Sequence, residues 1–469
     1  MSDKELIAIL EEENKCLKQE LATLKKLIFG HKTERYKAAK NDAQLSLFAD
    51  EKVEEVPEEK ETISYTRKKR KNHPGRNKIP DHLPVEEIII EPEENVEGLR
   101  RIGEEITESL KYTKASLIKK RVIRPKYEKT DKEGVIIADL PPKAMHKCIA
   151  EPSLIAYILS SKFVYHLPFY RILKKFKREY DLVLSPSTIN NWFTISSELL
   201  EPIYAEMVKQ VQQSTYLQAD ESPIKVLESE KKNKSHQGYQ WVYHAPQEKL
   251  VVFHYRKGRG QQGPKEFLKN YKGILQCDGY QVYDKIGLRP EIELIGCLAH
   301  ARRYFYSALD NDKKRSKFAL DRIQKIYAIE RKWKDPTEEV SQEQRKKKIK
   351  ALLNELKNWC EEESIRVLPK SSIGKAIGYY QKQYHKLIDI ANHSYTEIDN
   401  NLIENKIRPL ALGRKNYLFA GSHKSAQRIA MMYSFFATCE LRGKDPSTWL
   451  EQTLEALAYP NVNIQDLIP

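Results

Sequence analysis

Residues 215–222 read Thr-Tyr-Leu-Gln-Ala-Asp-Glu-Ser, and residues 272–279 read Lys-Gly-Ile-Leu-Gln-Cys-Asp-Gly. Each holds a short apolar run that ends on an aspartate: Asp220 follows residues 216–219, and Asp278 follows residues 274–277. Runs of this length rich in aromatic and branched residues favour strands, because such side chains pack well on a pleated surface. Working outward, residues 239–244 and 250–255 are similar runs set off by polar turns, which predicts a three-strand meander with the first. Residues 263–271 are helix-like, residues 273–277 read as a fourth strand and residues 292–297 as a fifth.

Meander, helix, strand, helix, strand predicts an α/β fold, a mixed sheet in the ribonuclease H order, divided between residues 213–300 and 396–440. The intervening residues 301–395 are almost wholly helical in pattern and charged, and read as a large insertion. Adjacent strands would bring the Asp220 and Asp278 ends together. Hard divalent cations such as Mg²⁺ take carboxylate oxygens, and a two-metal phosphoryl-transfer site needs a third carboxylate. Glu404 supplies it if Asp399 caps a helix that carries Glu404 on its second turn and Arg408 one turn later. Residues 405–438 hold no acid, whereas Lys406, Arg408, Arg414, Lys415, Lys424 and Arg428 lie among them, a phosphate-attracting surface. Carboxylates beside a basic track are the layout of a DNA-cutting site.

Each acid also has a plainer use: Asp220 as a turn or cap before Ser222-Pro223, Asp278 in an Asp-Gly turn, Glu404 as an exposed helical glutamate. Glu221, Asp284 and Asp399 stand within six residues of the three, and spacing alone does not separate them. In Cys297-Leu298-Ala299-His300-Ala301-Arg302-Arg303, the Cys297 and His300 pair offers two ligands where structural zinc takes four. Positioning and phosphate contact are the expected roles there, with a buried helix start as the plainer one.

Upstream, Ile7, Leu10, Asn14, Leu17, Leu21, Leu24 and Ile28 keep a 3-4 spacing, which predicts a coiled-coil dimerisation helix over residues 1–45. Glu13 with Lys18 and Glu20 with Lys25 fit a parallel pair, and Asn14 fixes its register; packing against the protein's own body is the competing arrangement. An acidic then basic linker spans residues 46–78, followed by a small β-rich module, residues 79–148, with a basic face over 114–129. Residues 150–205 read as helices in a helix-turn-helix arrangement, with Thr188, Asn190 and Asn191 able to reach base edges. Residues 441–469 are a C-terminal tail.

The chain has 469 residues, enough for about two to four domains, and a net charge of +15, which favours a polyanionic partner. Its six cysteines include no C-x-x-C pair, no run approaches the length of a bilayer span, and the N-terminus lacks signal-peptide order. A cytoplasmic, nucleoid-associated protein is expected, with no membrane partner.

Taken in order, the motifs resemble transposases of the insertion sequence 66 family over nearly the whole chain. They are Leu27-Ile28-Phe29-Gly30 closing the zipper, Gln218-Ala219-Asp220-Glu221-Ser222, Leu275-Gln276-Cys277-Asp278-Gly279-Tyr280 and the Cys297-x-x-His300 signature. Then come Ile398-Asp399-Asn400-Asn401-Leu402-Ile403-Glu404, Arg408-Pro409 and the run from Gly413 to Ser422. The resemblance implies a DDE transposase in which Asp220, Asp278 and Glu404 hold two Mg²⁺ ions, Mn²⁺ substituting. It would cut the transposon ends and join the freed 3′-hydroxyls to target DNA, as a homodimer or higher assembly, and companion proteins of the same element are further partners that the resemblance implies. Arg302, Arg303, Lys406, Arg408, Arg414, Lys415 and Lys424 would contact DNA, and Cys297 with His300 would shape the site. Family members usually carry a cysteine-rich zinc segment, but residues 91–129 hold no cysteine, so no zinc is expected. Ser222, Cys277 and Asn405 stand where Thr, Thr and Arg are common. The alternative reading is a catalytically inactive, transposon-derived DNA-binding protein; a third is a structure-selective nuclease.

Overall fold

The computed structural model describes residues 117–120, 122, 126–128, 135–137, 142–146 and 148–469, except 230–233 and 339. The expected coiled coil, the linker and most of the 79–148 module lie outside the described residues. The chain divides into two compact units. In the unit of residues 40–138, Lys126–Glu128 (β1) pairs antiparallel with Val135–Ile137 (β2).

The other unit is built on five strands: β3 (Tyr216–Val226), β4 (His236–Ala245), β5 (Leu250–Arg256), β6 (Gly273–Gln276) and β7 (Ile292–Ile295). Their order is β5-β4-β3-β6-β7, so the first strand of the sheet lies at its centre. β3, β4 and β5 are antiparallel neighbours, while β6 runs parallel to β3 and β7 parallel to β6. Gly273 opens β6 at φ +139°, where a Cβ would meet the Thr215 carbonyl oxygen at 2.4 Å, so only glycine lets the two strands start this close.

β3 does not stop before Asp220 as the apolar run predicts. It continues to Val226, because β4 pairs with it from Gln218 to Val226, whereas β6 pairs only with Tyr216, Leu217 and Gln218. Pro223 is tolerated within it. Leu227 N–H donates to Ala420 O and Lys225 O accepts from Ala420 N–H, so odd positions turn their backbone groups away from β4 and the missing proline N–H costs no ladder bond.

Helices surround the sheet: α1 (Pro152–Phe163), α2 (Phe169–Tyr180), α3 (Pro186–Gln213), α4 (Gln262–Phe267), α5 (Gln281–Ile286) and α6 (Leu298–Ser307). After them come α7 (Lys313–Lys334), α8 (Gln342–Ser364), α9 (Ser372–Leu387), α10 (Asn401–Tyr417), α11 (His423–Leu441) and α12 (Pro446–Ala456). α3 begins at a Ser185 cap, whose Oγ accepts from Thr188 N–H, with Pro186 at the first position. It then runs to Gln213, past the 205 boundary expected for this helical segment, burying Ile189, Trp192, Leu200, Ile203, Met207 and Val211. Through these residues α1–α3 share one hydrophobic core with the sheet, rather than standing apart as a module over residues 150–205. Asn190 and Asn191 stay exposed. The expected tail is likewise packed, since α12 buries Trp449, Leu450 and Leu454 in that core.

A second core joins α6–α9 to Tyr216, Ile274 and Ile295 of the sheet, through Phe305, Leu320, Leu353 and Tyr380 among others. At the other margin α11 covers the free edge of β5: Thr438 and Ser434 hydroxyls accept from Val251 and Phe253 N–H at 3.2 and 2.8 Å. An edge strand sealed in this way has no row of open donors for another chain.

Candidate active site

Gln218 of β3 stands opposite Gln276 of β6 in the parallel register. Their side chains meet, with Gln218 Nε2 donating to Gln276 Oε1 at 2.9 Å, and the Tyr216 hydroxyl donating to the same oxygen at 2.5 Å. Successive strand residues alternate between faces. Asp220 lies two positions beyond Gln218 within β3, and Asp278 lies two beyond Gln276, just past the end of β6, where its charge bears on the Asp220 carboxyl. Glu221 faces the opposite way, where Arg259 holds its Oε1 through two bonds of 2.8 and 2.6 Å.

α10 brings the third acid by running alongside β3. Its start is tied down where Asp399 O accepts from Gln218 Nε2 at 3.1 Å, and its last turn where Arg414 Nη1 donates to Ser222 Oγ at 2.8 Å. Its end is tied where Ala420 bridges to Val226. Asn400, not Asp399, is the N-cap residue, which places Glu404 on the first turn rather than the second. Asp399 still serves that turn, its Oδ1 accepting from Asn401 N–H at 3.0 Å while Oδ2 accepts from the Tyr327 hydroxyl at 2.7 Å. Asp284 is also occupied, by Lys386.

Burial pushes the Asp220 carboxyl well above the usual carboxylate range, and the charges of Glu221, Asp278 and Glu404 push the same way. The Glu221 N–H, donating to Asp220 Oδ1 at 2.7 Å, opposes them. Glu404 in turn faces Arg303, whose Nη2 lies 3.3 Å from Oε2, and His300, whose Nε2 lies 3.8 Å from Oε1. Burial lowers the His300 pKa and Glu404 resists that. Cys297 is buried, and its Sγ accepts from Asn400 N–H at 3.3 Å, so the Cys297-x-x-His300 segment touches both the first backbone of α10 and its carboxylate. Among the described residues no three His, Cys, Asp or Glu side chains stand close enough to hold a metal ion as they are arranged.

A family model described as "Transposase IS66 family" matches residues 147–428, more than half the chain and all of this site. The chain belongs to the IS66 transposase family. A second model, "Transposase C of IS166 homeodomain", matches residues 16–88. Relatives in Sinorhizobium fredii (strain NBRC 101917 / NGR234) include uncharacterized protein y4qI, 30% identical over 477 residues that cover 96% of this chain and 87% of the relative. Uncharacterized protein y4jD is 28% identical over 408 residues, covering 83% of this chain and 80% of the relative. Family membership supports a transposase role with DNA as partner and, in general, the use of divalent metal. No helix among the described residues is long and apolar enough to cross a membrane.

Three cations of the sequence-predicted basic track are engaged within the protein, among them Arg428, whose Nη2 lies 3.3 Å from Glu198 Oε1. Arg414 is turned inward onto β3, also donating to Pro223 O, and Lys406 pairs with Glu440 at 3.0 Å. Arg408, Lys415 and Lys424 are exposed and have no ion-pair partner among the described residues. Arg302 stacks over the Tyr306 ring at 5.7 Å. Sequence reasoning missed Gln218 and Gln276, although a signal was present: the same Gln-x-Asp triplet closes both apolar runs, Gln218-Ala219-Asp220 and Gln276-Cys277-Asp278. A glutamine inside an otherwise apolar strand needs a buried partner, and here each is the partner of the other.

Proposed function

We propose that the chain is a DNA transposase whose Asp220, Asp278 and Glu404 carboxylates hold two divalent cations, Mg²⁺ or Mn²⁺, for cutting the ends of its element and joining them to target DNA. The observation that supports this reading is the Gln218–Gln276 register, which sets the strand ends bearing Asp220 and Asp278 side by side, with the charges of Glu221, Asp278 and Glu404 all bearing on the buried Asp220 carboxyl. A central first strand flanked by an antiparallel meander and by two parallel strands supports the ribonuclease H-like assignment.

The donor set suits hard dications, being all oxygen, and a bound cation would offset the burial and the neighbouring carboxylates that raise the Asp220 carboxyl. When bound, such cations supply Lewis-acid polarisation of the scissile phosphate and activation of the attacking oxygen. The protein's own part is positional: Arg303 and His300 hold the Glu404 carboxylate and Cys297 anchors the start of its helix. Arg408, Lys415 and Lys424 attract the DNA backbone. Dimerisation through residues 1–45 and end recognition by residues 79–148 and α2–α3 belong to the same reading.

The test is a supercoiled plasmid bearing the element's inverted ends, incubated with protein and Mg²⁺ or Mn²⁺. Asp220→Asn is expected to lower cleavage and joining by about 100-fold or more while leaving end binding in place. End binding without cleavage by the wild-type chain refutes the reading in favour of a silent DNA-binding protein, and cutting without joining refutes it in favour of a nuclease.

A further inference from the structure

The segment that leaves α10, Tyr417-Leu418-Phe419-Ala420-Gly421-Ser422, carries two large apolar side chains into solvent: Leu418 is 60% and Phe419 42% exposed. Leu418 is held at φ +66° and ψ −41°, with Phe419 N–H donating back to Tyr417 O at 2.8 Å. This is a γ-turn of the strained kind, which a leucine adopts at a cost. The turn is not loose, since both hydrogen bonds of Ala420 clamp it to the end of β3 beside Leu227, itself 51% exposed.

An exposed apolar tip ordinarily finds a protein partner or a membrane, but the surroundings here point elsewhere. Residues 405–438 contain no acid, Lys225, Lys415 and Lys424 are exposed in the segments flanking the tip with no ion-pair partner among the described residues, and the adjacent Glu228 is taken up by the His423 N–H at 2.8 Å. Apolar residues set within a cationic surface match the chemistry of a nucleic-acid wedge, in which the side chain enters a base step while neighbouring cations hold the phosphates.

Two routes fix how far the tip stands from the carboxylates. Along β3, Val226 lies six residues past Asp220, about 20 Å at roughly 3.3 Å per residue. Along α10, Leu418 lies fourteen residues past Glu404, about 21 Å at roughly 1.5 Å per residue. We infer that Phe419, supported by Leu418, is a wedge that unstacks DNA about six base pairs from the bond cut at the carboxylate site, at about 3.4 Å per step. This deepens the transposase reading and rests on it.

The experiment uses the full chain with a linear duplex carrying one terminal repeat of the element. Permanganate oxidation, which reports unstacked thymines, is read at every position in the absence of divalent metal, and cleavage is read on the same duplex with Mg²⁺. A reactive thymine about six base pairs from the cut is expected with the wild type and with Phe419→Trp, and is lost in Phe419→Ala. Phe419→Ala weakens binding about 5- to 150-fold, the range of one lost base–aromatic stack, and leaves the salt dependence unchanged. Lys424→Ala lowers the salt slope by about 1 instead. A thermal melt of Phe419→Ala matching the wild type confirms an intact fold. An identical footprint and affinity for Phe419→Ala overturns the wedge, as does a change of mass by light scattering with DNA binding intact, which assigns the tip to a protein contact. Cleavage that proceeds without any unstacked thymine sinks the wedge alone, whereas a wild-type chain that never cuts sinks the transposase reading.

Discussion

Lys162, near the end of α1, is 8% exposed and has no ion-pair partner among the described residues. Its Nζ instead faces three rings, Phe169 at 4.3 Å, Tyr417 at 4.9 Å and Phe163 at 5.6 Å, so it joins α1 to the end of α10. Burial pulls its pKa down from 10.5 to about 8. That difference is worth about 3 kcal/mol against the charged form, while each ring face returns on the order of 1 kcal/mol in its favour. Below pH 8 both native and unfolded states carry the proton, and the native state bears the full penalty. Between pH 8 and 10.5 the unfolded chain still binds a proton that the native chain has released, so stability rises with pH across that window. Lys162→Met keeps the length and the apolar contacts and removes the charge. The variant should therefore be more stable at pH 7 by about 1–3 kcal/mol, and its advantage should shrink by about 2 kcal/mol at pH 9.5. Urea unfolding of both proteins at the two pH values measures the difference directly, because other titrating groups cancel between them. An advantage that stays constant within about 0.5 kcal/mol would refute the argument and show that the rings alone keep the proton in place.

Two further outcomes follow from the packing. Arg345 is fully buried, bonded to Glu330 at 2.8 and 3.2 Å and to the carbonyls of His393 and Thr396. Glu330→Gln leaves its charge uncompensated and should cost about 3–5 kcal/mol by urea unfolding; a loss below about 1 kcal/mol would contradict it. Leu418→Gly releases the positive φ and should raise stability by about 1 kcal/mol net of glycine's greater unfolded entropy, with an unchanged or lower melting temperature as the contrary result.

Much of the sheet was legible because aromatic and branched runs bounded by polar turns have few other ways to bury themselves. The meander and the two later strands fall where residues 216–219, 239–244, 250–255, 273–277 and 292–297 predict them. Boundaries were less legible. β3 passes through Asp220, Ser222 and Pro223 because β4 supplies the partner, and a pairing strand is not visible in the residues it pairs. α3 outlasts its expected end for a similar reason: Met207 and Val211 gain a core to enter only once the sheet is beside them.

What the sequence alone determined is the chemical inventory: acids at the ends of apolar runs, a 34-residue stretch of 405–438 free of acid, and motifs in an order that marks the family. Only the tertiary structure set Asp220 and Glu221 on opposite faces of β3 and gave Glu221 its Arg259 partner, because period-two alternation acquires a direction only once a strand is paired. It also decided which cations remain available, giving Arg414, Lys406 and Arg428 partners within the protein while leaving Arg408, Lys415 and Lys424 in solvent. The physical reason is common to both cases. A side chain's identity is local, but its direction and its partners depend on residues that are distant along the chain and adjacent only after folding.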